Sequence, residues 1–190
     1  MQQNITPWQR LMRTVVLDNK WLKFYKDRYK LPNGKELDDF YVVQEGPSAH
    51  VVPITADNKV LLTRQYRPAI DAVVYDFPAG FIEEDGRPPL EHAKRELVEE
   101  TGHTSEEWHA LGEAYPAPHR MDKKAYFFLA LNVQSTHQQS LDETEFLRFE
   151  AIPLQKVKEM LQTGEFNCGP CMALFLRASL KLEALEKQVA

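Results

Sequence analysis

The sequence lacks several features that define large classes of protein. It has only two cysteines among 190 residues, so it carries no disulfide framework of the kind that small secreted domains need. Its apolar runs fall far short of the roughly 20 residues that span a bilayer, and its first residues contain no apolar segment typical of a secretory signal. From these absences we expect a cytoplasmic protein with no membrane partner.

The sequence also lacks an excess of basic residues. Its formal net charge is −5, whereas a nucleic-acid surface needs a basic stripe to neutralise phosphates, so no nucleic-acid partner is expected. A small anionic ligand remains compatible, because it needs only a local cluster of arginine, lysine or metal. With 43% hydrophobic and 27% charged residues, the composition is that of a folded globular protein.

Two regions differ in their patterning. Residues 1–45 contain alternating apolar and charged positions and an Asn33-Gly34 turn signal, which predict a small antiparallel β subdomain. Residues 46–190 place one central helix among many strands, with further helices at the end. This order predicts an α+β fold, or a layered α/β/α sandwich with a mixed sheet, for the second region.

The central helix, predicted over residues 88–101, carries an unusual concentration of acid. Two prolines suit its first turn, and Gly102 suits the position after its last turn. One face is apolar, and Glu96, Glu99 and Glu100 lie within an arc of about 100° beside it. The cluster is either a solvated acidic face or a site for a hard divalent cation such as Mg²⁺, which prefers oxygen ligands.

The stretch from Gly80 to Gly102 resembles the Nudix box. The box pattern is a glycine, a spacer containing a glutamate, and then Arg-Glu-aliphatic-x-Glu-Glu-x-Gly, which residues 95–102 match as RELVEETG. The first half departs from the pattern, since the spacer is one residue longer and Arg87 stands where the first glutamate is usual. Glu83 and Glu84 lie nearby as substitutes, and His103 replaces the final aliphatic residue.

The resemblance implies a Nudix-type α/β/α sandwich and a metal site. Glu96 and Glu100 are the implied metal ligands, with Glu99 as a third ligand or a partner of the catalytic water, and the Ala79 carbonyl completes the set. The implied cofactor is Mg²⁺, with Mn²⁺ as a substitute.

The flanking segments resemble the subfamily of ADP-ribose and nucleoside diphosphate sugar pyrophosphatases. Before the box, Arg64, Tyr66 and Arg67 form the Arg-x-Tyr-Arg pattern that leads to Asp76-Phe77-Pro78-Ala79-Gly80. Arginines suit phosphate oxygens through charge-assisted bonds, although each alone is equally typical of a surface strand end. After the box, Pro118 and His119 occupy the implied substrate loop, where Lys123 replaces the usual acid.

The resemblance also implies a catalytic base and an assembly. Glu145 aligns with the carboxylate that deprotonates the attacking water, and Glu143 is the second candidate. The N-terminal subdomain is implied to join a homodimer, in which it is swapped between subunits. Trp21 is a candidate for stacking on the base, and ordinary packing is the alternative.

The implied activity is Mg²⁺-dependent hydrolysis of the diphosphate of ADP-ribose or a related nucleotide sugar, which yields a nucleoside monophosphate and a sugar phosphate. Alternatives within the resemblance are dinucleoside polyphosphates or RNA 5′ ends as substrates, or a non-catalytic nucleotide-sugar sensor. Outside it stands Cys168-Gly169-Pro170-Cys171. This pattern is typical of a redox pair or half a zinc site, but too little chain follows for a thioredoxin sheet, and we interpret it as a helix cap.

Overall fold

The computed structural model describes residues 5–189 and the side chains of residues 5–188, so the first four residues of the predicted N-terminal subdomain lie outside it. The chain forms two compact units. The first contains the described residues up to Gly46 together with Tyr115–Lys124, and the second contains Pro47–Ala114 together with the described residues from Ala125 onward. The sequence placed one boundary, after residue 45, and did not assign residues 115–124 to the first unit.

The first unit is built on a three-stranded antiparallel sheet in the order β1-β2-β3. Its strands are Gln9–Asp18 (β1), Leu22–Lys30 (β2) and Glu36–Glu45 (β3). The turn between β2 and β3 contains Gly34 at φ +82°, a left-handed conformation that glycine adopts without strain. Backbone hydrogen bonds between Val43 and the 115–124 segment hold that segment against β3.

The second unit carries the remaining strands and all three helices of the described chain. The strands are Ser48–Pro53 (β4), Lys59–Arg67 (β5), Ala72–Asp76 (β6), Ala79–Phe81 (β7), His103–Thr104 (β8), Glu107–Ala114 (β9), Ala125–Leu131 (β10), Gln134–Ser135 (β11) and Leu147–Pro153 (β12). The helices are Pro89–Thr101 (α1), Leu154–Thr163 (α2) and Gly169–Val189 (α3).

Three sheets form within this unit, in the orders β7-β4-β10-β9, β12-β5-β6 and β11-β8. The first is mixed, because β4 and β10 run parallel while their outer neighbours are antiparallel. The predicted combination of α+β composition with a mixed sheet is therefore confirmed.

Strands of the two larger sheets are covered by helices on both faces. On one side, Val51, Leu61 and Phe128 pack with Ala93 and Leu97 of α1. On the other side, alternate residues of the same strands pack with α2 and α3, in a cluster that includes Val52, Leu62, Phe127, Met160, Phe175 and Ala178. The alternation of side chains along a strand supplies both faces, which gives the α/β/α layering.

The helices agree closely with the sequence. Helix α1 begins one residue later than predicted and ends at Thr101, and Gly102 follows in the left-handed conformation at φ +71°. None of the helices within residues 5–189 combines the length and apolar character needed to cross a membrane.

Candidate active site

Helix α1 carries two glutamates into the interior of the second unit. Glu96 and Glu100 lie one turn apart and are 6% and 4% exposed, next to the apolar residues that pack on the sheet. Glu99 lies between them in sequence and is half-buried. The acidic cluster is therefore not a solvated helix face.

The turn before the helix lies directly against these carboxylates. The backbone N–H of Ala79 donates a hydrogen bond to Glu100 Oε2 at 3.3 Å. A Cβ added at Gly80 would lie 2.0 Å from Glu96 Oε1, so glycine leaves the space that this carboxylate fills. Strand β4 holds this turn in place, because Val51 N–H donates a hydrogen bond to the Pro78 carbonyl at 3.0 Å. The predicted ligand residues Ala79, Glu96 and Glu100 thus meet.

Arg95 connects the acidic residues to one another. Its guanidinium lies 2.6 Å from Glu99 Oε2 and 2.8 Å from Glu96 Oε1, and it approaches Glu83 at 3.8 Å. Glu83, an acidic residue of the lengthened spacer, thus lies close to Arg95, the arginine of the Nudix box. Arg87, which replaces the usual glutamate, pairs instead with Asp85 and holds the pKa of that carboxyl at about 2 through its hydrogen bonds.

Burial and neighbouring negative charge determine the electrostatics of this pair. The pKa of Glu96 is raised to about 7, chiefly by burial and also by the neighbouring charges of Glu99 and Glu145, against the opposing effect of Arg95. The pKa of Glu100 is raised to about 9, chiefly by burial and also by the charges of Glu96 and Glu145. A bound cation would reverse both shifts, because it favours the ionised carboxylates.

The donor set fits a hard divalent cation. It consists of the buried carboxylate oxygens of Glu96 and Glu100 and the half-buried ones of Glu99, and Mg²⁺ and Mn²⁺ prefer such oxygen ligands. The carboxylates do not converge on one point, since Arg95 bridges Glu96 and Glu99. Closing the set around a cation therefore requires these side chains to turn away from Arg95.

A second loop brings Glu145 to the same site. The N–H groups of Thr136 and His137 both donate to the Gly102 carbonyl at 3.0 Å, and Ser140 N–H donates to the Glu99 carbonyl at 2.9 Å. A side chain at Gly102 would meet the His137 carbonyl at 2.3 Å, so glycine permits this approach. From these anchors the chain continues to Glu145. The negative charge of Glu145 contributes to the raised pKa of both Glu96 and Glu100.

Glu145 also lines an open cleft of about 560 Å³ at the ends of β5 and β12. The cleft contains the predicted residues Arg64 and Tyr66 and the unpredicted residues Phe146 and Arg148. Arg64 and Arg148 are directly opposite each other in the antiparallel β5–β12 pair, and Glu150 lies 3.7 Å and 3.0 Å from their guanidiniums. The cleft thus places two arginines and the Glu145 carboxylate next to the buried glutamates.

The family model of the NUDIX domain matches residues 44–172. The chain belongs to the Nudix family. Its relatives include the ADP-ribose pyrophosphatase of Bacillus subtilis (strain 168), which is 28% identical over 179 residues, or 94% of this chain and 95% of that protein. The ADP-sugar pyrophosphatase of Mus musculus is 39% identical over 113 residues, or 54% of this chain and 50% of the relative.

A solved structure described as an ADP compounds hydrolase has the same fold. It superposes with a TM-score of 0.82 at 21% identity and covers 97% of this chain and 98% of its own. Together with the family match, these similarities identify the chain as a Nudix hydrolase. Nudix pyrophosphatases generally use a divalent metal, which agrees with the donor set beside the Nudix box.

Other predicted residues of this Nudix hydrolase have different surroundings. Arg67 forms an ion pair with Asp76, which precedes the Pro78-Ala79-Gly80 turn, and its side chain is 47% exposed. Glu143 is exposed, while Glu145 is half-buried and accepts a hydrogen bond from Asp142 N–H at 3.1 Å. Of the two candidate bases, Glu145 is therefore the one whose position is fixed.

Three predicted substrate residues of the Nudix hydrolase belong to the first unit. Trp21 is 65% exposed and lies under the Lys20 ammonium, 4.3 Å from the ring centroid. Pro118 and His119 are exposed and line a cavity of about 320 Å³ within this unit, whose lining also includes Arg10, Arg13 and Arg120.

Sequence reasoning missed Arg148 and Phe146. Arg148 lies between Leu147 and Phe149 on β12, so strand alternation predicts that its side chain points to the opposite face of the sheet from theirs. Alternation does not predict which residues that side chain contacts. Its pairing with Arg64 depends on strand register, which the sequence leaves open. Phe146 is 84% exposed beside Glu145, and this exposure, which would have singled it out, is visible only in the structure.

Proposed function

We propose that this Nudix hydrolase cleaves the diphosphate linkage of nucleoside diphosphate sugars, with ADP-ribose as the preferred class, and that it uses Mg²⁺, which Mn²⁺ can replace. The observation that carries the proposal is the cleft in which Arg64, Arg148 and Glu145 meet beside the buried pair Glu96 and Glu100. The two relatives, an ADP-ribose pyrophosphatase and an ADP-sugar pyrophosphatase, support the substrate class.

The metal would be held by Glu96, Glu100 and the Ala79 carbonyl, with Glu99 as an additional ligand or a partner of water. A divalent cation there neutralises diphosphate charge and promotes ionisation of the attacking water. The arginine pair orients the substrate, because guanidiniums form charge-assisted bonds with phosphate oxygens. Tyr66, exposed on the same cleft, adds a face for the sugar or the base.

Glu145 acts as the general base in this scheme. It takes a proton from water, whose oxygen attacks one phosphorus of the diphosphate, and the other phosphate leaves with the bridging oxygen. The products are a nucleoside monophosphate and a sugar phosphate. The support for this role is the half-buried position of Glu145 and its backbone contact with Asp142 N–H, which Glu143 lacks among the described contacts.

The deciding experiment is a substrate panel with matched variants. The wild-type chain with Mg²⁺ is expected to release AMP from ADP-ribose faster than it cleaves GDP-mannose, UDP-glucose, diadenosine polyphosphates or capped RNA. Glu100→Gln is expected to abolish turnover, and Glu145→Gln to lower kcat by roughly 10²–10⁴ with little change in KM. Glu143→Gln is the control, expected to retain activity. Cleavage of capped RNA in preference to every nucleotide sugar would overturn the substrate class.

The assembly and the location of the protein are part of the same proposal. We propose a cytoplasmic homodimer in which the N-terminal subdomain is swapped and brings Trp21, Pro118 and His119 to a partner's nucleotide. Their exposure in the first unit supports this proposal, because it leaves them available to a ligand. Light scattering of the purified chain tests the dimer, and a monomeric mass with full activity would refute it.

A further inference from the structure

The Cys168-Gly169-Pro170-Cys171 segment begins α3 and takes no part in the proposed hydrolysis. Met172 N–H donates to the Cys168 carbonyl at 2.9 Å, which makes Cys168 the residue that caps the helix. Cys171 follows in the first turn, so helix geometry sets the two Cα atoms about 5 Å apart. This separation lies within the range that a disulfide requires, and the two sulfurs lie within 4.8 Å of each other.

The two thiols differ in access. Cys168 is partly exposed at the start of the helix, whereas Cys171 is 1% exposed within the core cluster. An external reagent can therefore reach the first sulfur and not the second. This asymmetry is the arrangement that stepwise thiol–disulfide exchange needs, with one sulfur to attack and one to resolve.

A buried carboxylate contacts both thiols. Asp76 Oδ1 lies 2.6 Å from Cys171 Sγ and 3.6 Å from Cys168 Sγ. Burial, together with the contacts to Cys168 and Asp76, raises the pKa of the Cys171 thiol, so this thiol keeps its proton in the resting state. Asp76 is then a proton acceptor within hydrogen-bond distance of the buried thiol, and it is itself paired with Arg67.

We propose that Cys168 and Cys171 form a dithiol–disulfide couple that exchanges with low-molecular-weight disulfides of the glutathione class. Cys168, as thiolate, attacks one sulfur of the disulfide, and one glutathione leaves as a thiolate that takes up the proton Cys168 had released. A mixed disulfide remains on Cys168. The proton of Cys171 then passes to Asp76, and the Cys171 sulfur displaces the second glutathione, which takes up that proton. Two cysteine thiols are oxidised and one glutathione disulfide is reduced to two thiols.

A metal site is the competing explanation for the same three side chains. Among the described residues, the group whose ligand atoms lie within 4.8 Å of one another contains Asp76, Cys168 and Cys171 and no fourth member, whereas structural zinc sites take four protein ligands. The Asp76 carboxylate is also engaged by the Arg67 guanidinium and by Phe77 N–H. Because the group supplies three ligands rather than four and its carboxylate already has two partners, the surroundings favour thiol chemistry.

The test uses the full chain, reduced, freed of reductant and incubated with oxidised glutathione under native conditions. Wild type is expected to lose the mass of two hydrogen atoms and both titratable thiols, and dithiothreitol is expected to restore them. Cys171→Ser is expected to accumulate a glutathione adduct on Cys168, since no sulfur remains to resolve it. Cys168→Ser is expected to form no adduct. Asp76→Asn is expected to slow conversion of the mixed disulfide to the internal one more than it slows adduct formation.

Three results would overturn the proposal. The first is retention of both thiols in the folded wild type when the denatured chain oxidises readily. The second is an absence of the adduct in Cys171→Ser. The third is one equivalent of zinc in the purified wild type, lost in Cys168→Ser and protecting both thiols from glutathione, which would assign the cluster to a metal. These readouts are independent of diphosphate hydrolysis, so they stand whether or not the proposed function does.

Discussion

Replacing Glu100 with glutamine is expected to stabilise the protein when no divalent cation is present. The Glu100 side chain is 4% exposed, and burial raises its pKa from 4.5 to about 9. The unfolded chain therefore loses this proton near pH 4.5, while the folded chain holds it until about pH 9. Stability from this group is fully present below the unfolded pKa and is lost as the pH rises through the folded pKa. Glutamine has no proton to lose and keeps an oxygen that can accept from Ala79 N–H.

The magnitude follows from the pH interval. At pH 7 the unfolded state has gained about 2.5 pH units of ionisation free energy at about 1.4 kcal/mol each, so the variant gains about 3.5 kcal/mol. For a chain of this length, that corresponds to a rise of about 7–14 °C in Tm. The advantage vanishes at pH 4.5, where both states of the wild type are protonated. Added Mg²⁺ is expected to reverse the order, because a cation stabilises the ionised wild-type carboxylate and gains nothing from the amide.

The assay is thermal unfolding in EDTA at pH 4.5, 7 and 8.5, repeated with Mg²⁺ at the two higher values. Glu91→Gln, on the same helix but partly exposed and paired with Lys94, is the matched control and is expected to change stability by less than about 0.5 kcal/mol. A Glu100→Gln variant that is no more stable than wild type at pH 7 without metal would refute the reasoning. So would a gain that is equally large at pH 4.5.

Three further substitutions test other contacts. Gly80→Ala is expected to lower activity at subsaturating Mg²⁺ by at least tenfold, because its methyl displaces the Glu96 carboxylate; unchanged Mg²⁺ dependence would contradict this. Arg95→Gln is expected to raise the pKa of Glu96, because it removes the positive charge that lowers this pKa, and so to shift the acid limb of the pH–rate profile upward. Asp27→Asn removes the negative charge and one of the two carboxylate oxygens that accept hydrogen bonds from Arg13, at 2.8 and 2.7 Å, and is expected to cost about 2 kcal/mol in urea unfolding at pH 7. Because Arg13 lowers the pKa of Asp27, this loss is expected to shrink as the pH falls through that pKa.

The sequence predicted α1 well because periodicity and end signals are local. Prolines at its start and Gly102 at its end bound α1 to within one residue, and Ala93 and Leu97 lie on the buried face as expected. The burial of Glu96 and Glu100 was not contained in that pattern. It depends on a turn more than fifteen residues earlier, whose missing side chain at Gly80 makes room for a carboxylate.

The cleft lined by Arg64 and Arg148 was less accessible to sequence reasoning. Arg64 and Arg67 belong to one short motif, yet Arg64 faces a cleft with Arg148 and Arg67 pairs with Asp76. Strand alternation cannot assign these partners, because they depend on the register of β5 with β12 and on the β5–β6 hairpin. The same limit applies to Cys168 and Cys171. The sequence shows their spacing, but it does not show that both contact Asp76, which lies 92 and 95 positions earlier in the chain.

The attachment of the loop that carries Glu145 affects which mutations the protein can tolerate. The loop's anchors to the end of α1 are mostly main-chain groups, the N–H of Thr136, His137 and Ser140 donating to the carbonyls of Gly102 and Glu99, with the Gln139 side chain donating to the Glu100 carbonyl. All four residues precede residues 141–146, so mutations within 141–146 leave these bonds in place. Mutation can therefore vary the cleft beside Glu145, including Phe146, while the carboxylates of α1 stay constant. Under the proposed function, point mutations at positions of this segment other than Glu145 can alter which substrate the cleft accepts while the base and the α1 carboxylates are retained.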